Sequence, residues 1–371
     1  MKVVHMTSVH PRNDVRILLK ECASLKAAGH DVTLLVADGQ GQGSAGGVRI
    51  VDVGLRHARR LARALHTGAR MYAAARRQRA DVYHLHDPEL LPWAVLLRMA
   101  GHRVVYDAHE QLADDILAKP YLSPWMMRVL VATVAPSELF MAGRMSAVVA
   151  ATPAILDRFA GRTRISVGVY NFPLEHEFKR SGGAWGQRKQ QACYVGGISI
   201  SRGVHELILA AQFARTRIVI AGPLWDGLTL DRLSRTPGWD KVSYVGPLGR
   251  QAVAELMASS RVGLVTFLPT RYHVDAMPNK LFEYMSAGIP VVASNFPLWK
   301  SVVEQTGSGL CIDPADPKAI AAAIDRLAED DELAERCGRN GMRAVTGNYN
   351  WNGQASKLLA LYGQLAAASA A

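Results

Sequence analysis

ACYVGGISISRGVHELILAAQFARTRIVIAGP, Ala192 to Pro223, is the stretch whose reading decides the fold. An apolar run of strand composition passes through Gly196 and Gly197 into the helical pattern GVHELILAAQFA, and a second apolar run, TRIVIAGP, follows at once. Near-continuous Val and Ile on either side of a helix mark parallel strands covered on both faces. The alternation continues downstream through VSYVGP, the helix RQAVAELMASS, VGLVTF, the helix PNKLFEYMSAG, IPVVAS and GLCID. Upstream it runs through KVVHMTS, a helix ending at LKAAGH, DVTLLVA, VRIVDV, DVYHLH, RVVYDAHE and SAVVAAT. Between the two series, Asn171 to Gln191 lacks strand periodicity and carries Gly182, Gly183 and Gly186 among polar residues, as a linker does. The expected architecture is α/β, with two Rossmann-like doubly wound domains at 1–170 and 190–349 joined by a linker at 171–190. An amphipathic helix within 350–371 is expected to pack back on the first domain. Ligands of open α/β sheets bind beyond the carboxyl ends of the strands, so two such domains predict a site in a cleft that both face.

Composition narrows the class. The 371 residues are 49% hydrophobic and 20% charged, which suits a globular protein and excludes a disordered or collagen-like chain. The four cysteines, Cys22, Cys193, Cys311 and Cys337, have no C-x-x-C spacing and suggest neither a disulfide framework nor a zinc site, so a reducing cytoplasm is expected. The opening apolar run is too short for a signal-peptide core. No run reaches the ~18 uninterrupted apolar residues of a membrane span; Val129 to Leu156 is broken by Pro136, Glu138, Arg144 and Pro153.

The net charge of +11 points to an anionic partner. It sits mainly in the first half: residues 1 to 180 hold 24 Lys and Arg against 16 Asp and Glu, the rest 19 against 16. Arg56 to Arg79 carries eight arginines and no acid. That is either a solvated helix face or a helix held against anionic head groups, where each basic residue adds ~1 kcal/mol. Trp125, Met126, Met127, Leu130 and Val131, within Tyr121 to Arg144, are core residues in one reading and a membrane-docking face in the other.

The chemistry concentrates in HVDAMPNKLFEYMSAGIPVVAS, His273 to Ser294. Pro278 suits a first helical position and Gly288 a helix end, so a helix is expected from Pro278 to Ala287. Its first N–H groups, at Asn279, Lys280 and Leu281, form an anion site with the helix dipole, and Lys280 adds a full charge. Glu283 lies three residues on, on the same face, where a carboxylate could accept hydrogen bonds from a ribose diol. The alternative is a plain surface ion pair between Lys280 and Glu283. Asp275 stands eight positions before Glu283.

Here the sequence resembles the family 4 glycosyltransferases of the GT-B fold, retaining nucleotide-sugar enzymes with paired acids spaced E-x7-E before a G-x-P-V-V-A strand. Asp275 and Glu283 keep that spacing ahead of AGIPVVAS, with Asp in place of the first Glu. The resemblance implies that Glu283 binds the donor ribose and that Asp275 lies close to the transferred sugar. YVGGISISRG matches a family segment usually reading Y-x-G-R-L-x-x-x-K-G, whose two basic residues hold the diphosphate. Arg202 takes the lysine position, Gly197 stands where the arginine is expected, and Lys280 is the candidate replacement cation.

Two histidine-bearing strand ends are expected at the cleft: DVYHLHDPEL, with His84, His86 and Asp87, and RVVYDAHEQ, with Asp107, His109 and Glu110. The family histidine that contacts donor sugar and phosphate matches His109. His10, Arg12, Asn13, Asp14 and Arg16 in SVHPRNDVR are expected on the acceptor side. H-x-H-D also suits metal ligation, but no further His and Cys cluster lies nearby and the chain contains no D-x-D, so neither metal nor other cofactor is expected. The resemblance implies transfer from a UDP- or GDP-sugar to a saccharide or lipid-linked saccharide, in polysaccharide or glycolipid synthesis. It takes place in the cytoplasm, peripherally on the inner face of the membrane if Arg56 to Arg79 binds lipid. The rivals are a GT-B nucleotide-sugar epimerase and a basic nucleotide- or nucleic-acid-binding protein; no nucleic-acid-binding motif is present.

Overall fold

A computed structural model describes residues 1–109, 123–175, 177–178 and 185–367. Glu110, Tyr121 and the last residues of the closing segment, for which expectations were stated, lie outside the described residues. Two compact units divide the chain: Met1–Asn171 with Asn352–Ala371, and Phe172–Trp351.

The first unit is built on eight strands: β1 Lys2–Met6, β2 Asp31–Val36, β3 Gly43–Ala45, β4 Val48–Asp52, β5 Val82–Leu85, β6 Arg103–Ala108, β7 Ala147–Ala150 and β8 Ser166–Gly168. Their order is β3-β4-β2-β1-β5-β6-β7-β8, and only β3 runs antiparallel to its neighbour. Strand order reverses between β1 and β5, so the loops leaving those two strands flank a topological switch point, where doubly wound folds bind ligands. The helices at Gly68–Gln78, Leu91–Met99 and the end of Pro124–Ala142 bury Met71, Ala75, Leu91, Leu97 and Ala142 in one cluster with Val4, Tyr83 and Tyr106, and so cover one face of this sheet. On the opposite face the helical stretch Val15–Cys22 begins at Asp14, whose carboxylate accepts the Ile17 N–H at 2.9 Å.

The second unit has six parallel strands, β9 Gln191–Val195, β10 Arg217–Ala221, β11 Val242–Tyr244, β12 Val262–Val265, β13 Val291–Ser294 and β14 Gly309–Ile312, ordered β11-β10-β9-β12-β13-β14. Its switch point lies between β9 and β12. Helix starts are capped by side chains: Thr229 before Leu230–Ser234, Asp316 before Pro317–Glu329 and Asp330 before Asp331–Gly347.

Several details depart from the expectations. β3 and β8 had no strand signal, because glycine and serine take two of the three positions in each. Pro278 is extended (φ −72°, ψ 122°) and serves as the cap of a helix spanning Asn279–Ser286, rather than being its first turn. The described part of 171–190 is no bare spacer. Phe172 packs edge-on against Phe282 and Tyr349, Phe178 is buried, and the Trp185 indole donates to Asp331 at 3.2 Å. The closing helix Trp351–Ala367 joins the first unit from Asn352 on. There Gln354 Oε1 accepts the Tyr170 N–H at 3.0 Å, and the Tyr362 hydroxyl lies 2.9 Å from His84 Nδ1. By length and composition Trp125–Ala142 qualifies as a membrane-crossing helix, with 11% of it buried, where the sequence pattern indicated no span.

Candidate functional site

In the second unit the loop leaving β9 is shaped by glycine. Gly196 has φ 146°, and its N–H donates to Ala221 O at 2.9 Å. A Cβ built there would lie 3.8 Å from both Arg202 Nη1 and Lys280 Cε, so both cationic side chains approach this backbone. Arg202 donates to Gly197 O at 3.3 Å and stacks on Trp225 (4.4 Å to the ring centroid) and Phe267 (5.3 Å). Gly203 lies against Thr266 O, where a Cβ would come within 2.0 Å, and so lets the Arg202 turn sit on the loop leaving β12.

Lys280 and Glu283, on the helix Asn279–Ser286, form an ion pair. Asn279 and Lys280 belong to the helix's first turn, whose N–H groups have no intrahelical acceptor. Leu281 departs from its expected role: its N–H donates to Pro278 O at 3.1 Å and its side chain is buried. Asp275 is exposed, ending the short helix Arg271–Val274, and the Trp299 indole pins the next residue by donating to Ala276 O at 2.7 Å. Burial of His273, opposed in part by its bond to Leu268 O, pushes that imidazole down to about 4.

In the first unit the switch point holds a cluster of imidazoles around one carboxylate. Asp107, at the end of β6, is bound through both oxygens by Arg16, at 2.8 and 3.0 Å. Its Oδ2 also lies 3.0 Å from His109 Nε2 and 3.3 Å from His86 Nδ1. Burial alone would raise the Asp107 carboxyl, but the Arg16 guanidinium and His109 outweigh it and hold it well below the usual range. His5 Nδ1 stands 2.9 Å from His86 Nε2, and the rings of His5, His84 and His86 lie within 5.1 Å of one another. Burial lowers all three, His86 to about 4. Glu21, 3.0 Å from Arg16, is raised by burial and by the Asp107 charge.

His10 approaches this group from the loop after β1. Nδ1 is 3.4 Å from Asp14, Nε2 is 3.6 Å from Asp87, and the ring lies 5.3 Å from that of His109. Burial opposes ionisation of Asp14, but His10 and the Ile17 N–H hold its carboxyl at about 2. Asp87 ties the loop down by accepting from the Thr7 hydroxyl (2.9 Å) and the Ser8 N–H (2.6 Å). Of the expected acceptor-side residues, His10 and Asp14 therefore gather beside His109. Asn13 is exposed, and Arg12 points elsewhere, forming a bidentate pair with Asp38 (both 2.7 Å) and donating to Gly41 O.

Glu21, His84, His86 and Asp107 offer ligand atoms within 4.8 Å of one another, a spacing open to a metal ion. Arg16 already lies against both carboxylates and supplies the positive charge a cation would bring. The donor set therefore suits a guanidinium-centred network better than a divalent ion.

Two family descriptions match the chain: "Glycosyl transferase 4-like domain" over residues 15–167 and "Glycosyl transferases group 1" over residues 175–344. The chain belongs to the family 4 glycosyltransferases. Curated relatives of the chain include the alpha-D-kanosaminyltransferase of Streptomyces kanamyceticus, 26% identical over 46% of this chain and 45% of that protein. Another is the capsular polysaccharide biosynthesis glycosyltransferase CapM of Staphylococcus aureus, 24% identical over 42% of this chain and 41% of that protein. The chain spans about half the length of the curated relatives it matches. Among solved structures, sucrose-phosphate synthase from Thermosynechococcus elongatus matches with a TM-score of 0.79 at 18% identity, over 99% of both chains. HepE of Anabaena in complex with UDP-glucose matches at 0.73 and 17%, over 98% of this chain and all of that one. These likenesses establish the GT-B fold of the chain.

Sequence reasoning missed Trp225, Phe267 and Gly222 in the second unit and Glu21 and His5 in the first, and it expected on the acceptor side Arg16, which the structure buries between Asp107 and Glu21. The one available signal was the charge of Arg16 and Glu21 among the apolar Ile17, Leu18 and Cys22, since charged residues enter a core only when paired.

Proposed function

We propose that this chain transfers a glycosyl group from a UDP- or GDP-sugar to a saccharide or lipid-linked saccharide, with retention of anomeric configuration and without a metal ion. The observation that carries this reading is the convergence of Arg202 and Lys280 on Gly196, at a switch point and beside Glu283. A leaving nucleoside diphosphate develops charge as the glycosidic bond breaks. Two cations and the first-turn N–H groups of Asn279 and Lys280 meet that charge with dipoles already in place. Glu283 exchanges its bond to Lys280 for the ribose diol, which frees Lys280 for phosphate. Asp275 faces the transferred sugar, and Gly197 leaves room for the Trp225 ring on which Arg202 stacks. His109 meets the sugar and phosphate, with His10 and Asp14 on the acceptor side. UDP-glucose bound to the Anabaena relative supports the donor class, and the name of CapM supports a role in polysaccharide synthesis.

The test is thermal stabilisation by UDP, GDP, ADP and their sugars, followed by transfer assays with the donor so found. A ligand at 100 times its dissociation constant adds ~2.7 kcal/mol. A shift selective for one nucleoside diphosphate and lost in Glu283→Ala supports the reading; no shift with any of them overturns it.

We further propose a cytoplasmic location, peripheral on an anionic membrane. Leu55, Leu61 (81% exposed) and Leu65 alternate with the exposed Arg56, Arg59 and Arg60. From Trp125 to Ser137 the helix Pro124–Ala142 buries no residue, although its composition is apolar on all sides, as in helices that meet lipid or a core. Its last turns are tied to the sheet: Glu138 accepts from Tyr106 (2.8 Å) and Arg158 (2.6 Å), an arrangement that favours lying on the bilayer over crossing it. Sedimentation with phosphatidylglycerol vesicles but not with phosphatidylcholine vesicles is expected. Indifference to both would overturn the placement.

A further inference from the structure

The hydrogens of the imidazole cluster follow from its geometry. Asp107 is ionised and only accepts, so His109 Nε2, 3.0 Å from Oδ2, carries a hydrogen. His86 Nδ1 lies 3.3 Å from the same oxygen; bare, it would set lone pair against lone pair in a dry interior, so it too carries one. The 3.1 Å approach of His86 Nδ1 to His109 Nε2 is then two N–H groups converging on one acceptor. Neutral His86 has a lone pair left at Nε2, which must accept from His5 Nδ1 at 2.9 Å. That leaves His5 Nε2 bare, and it is among the buried atoms without a hydrogen-bond partner. A buried lone pair lacking a partner is better tolerated than a buried N–H lacking one, so the assignment is self-consistent from end to end.

We propose that Asp107, clamped by Arg16, is a positioning residue that fixes His109 as its Nε2–H form, with His86, itself held by His5, against Asp107 from behind, so that Nδ1 is the ring nitrogen His109 presents to a ligand. Nδ1 has no bonded partner among the described residues, and His109 is 17% exposed, whereas Asp107 is fully buried. Asp107 thus acts through His109 and does not itself touch substrate. The link between this tautomer and turnover rests on the glycosyl-transfer reading; the tautomer itself does not. Orienting partners of this kind change activity by about 10- to 100-fold when removed.

The experiment is nitrogen-15 NMR of histidine-labelled full chain, with His109 assigned through His109→Gln. In the wild type His109 is expected as the Nε2–H tautomer at neutral pH, and His86 and His5 as Nδ1–H. An Nδ1–H pattern for wild-type His109 overturns the proposal and needs no variant. In Asp107→Asn the His109 signal is expected to move to a mixture, with kcat down about 10- to 100-fold and the donor KM within about twofold. Asp107→Glu is expected to recover part of kcat. A His109 tautomer unchanged in Asp107→Asn, or a moved tautomer with unchanged kcat, overturns the positioning role. If the wild type transfers nothing from any nucleotide sugar, the functional reading fails while the NMR pattern still decides the tautomer.

Discussion

The backbones of Gly196 and Gly222 touch: a Cβ built on Gly222 would stand 1.8 Å from the Gly196 carbonyl oxygen. The contact joins the loop leaving β9 to the loop leaving β10, and it is where the backbone beside Arg202 and Lys280 is set. Gly222 has φ 147°, a region other residues essentially avoid, so strain and overlap act together. Gly222→Ala is expected to cost about 3 kcal/mol or more, read by urea melting. In Gly197→Ala the three nearest atoms to the new methyl all belong to the Trp225 ring, which is half-exposed and can swing aside. It should keep the fold while moving Trp225 off Arg202, a change that tryptophan fluorescence would register.

The pair between Lys280 and Glu283 separates a surface ornament from a ligand site. As an i,i+3 helix pair it is worth only about 0.2 to 0.5 kcal/mol, so neither Lys280→Met nor Glu283→Gln should shift the melting midpoint appreciably. If the two residues hold diphosphate and ribose, each substitution should weaken nucleoside-diphosphate binding by about 10-fold or more, equal to about 1.4 kcal/mol by titration calorimetry. Unchanged affinity in both variants would return the pair to the surface.

Arg16 is a buried cation between two buried carboxylates, Asp107 and Glu21. Arg16→Met leaves those groups without a counter-charge and is expected to cost about 3 to 5 kcal/mol. Arg12→Ala removes a pair with Asp38 that lies away from His10 and His109, so the transfer rate should not change. A stable Arg16→Met protein in chemical denaturation would contradict the account of the cluster.

Stability should rise with pH between about 4.5 and 6. His5, His84, His86 and His273 titrate lower in the fold than in the unfolded chain, His86 and His273 at about 4. In that window the unfolded chain binds more protons at these sites, so their contribution is present above the unfolded value near 6.5 and is lost as pH falls. Glu21 and Glu138, raised by burial, act in the opposite sense above about 4.5. With His30, which burial also lowers, five groups against two leave a positive slope that flattens toward neutral pH. Thermal melts from pH 4.5 to 7 would show it, and a melting temperature that climbs on acidification would refute it.

Much of this protein could be read from its residues in order. Alternating Val- and Ile-rich runs with helical patterns suffice for two doubly wound sheets, since a buried parallel strand is apolar on both faces whatever its neighbours are. The spacing of Lys280 and Glu283 set both on one face of the expected helix, because residues three apart share a helix face. Tertiary structure alone decided the rest. Leu281 looked like an anion-binding position until Pro278 turned out to cap the helix and accept its N–H. Arg16 and Glu21 are five apart, about 140° around an ordinary helix, and no 3.6-residue period brings them together. Val15–Cys22 winds more widely, with the Leu19 N–H reaching Asp14 O five residues back, and both side chains turn inward. The partners that give them meaning come from β1, β5 and β6, strands beginning at Lys2, Val82 and Arg103 that only the sheet order sets side by side. Local pattern determined the elements and the helix-borne half of the site; the histidine cluster depended on strand order and on one unusually wide helical turn, neither of which leaves a period in the sequence.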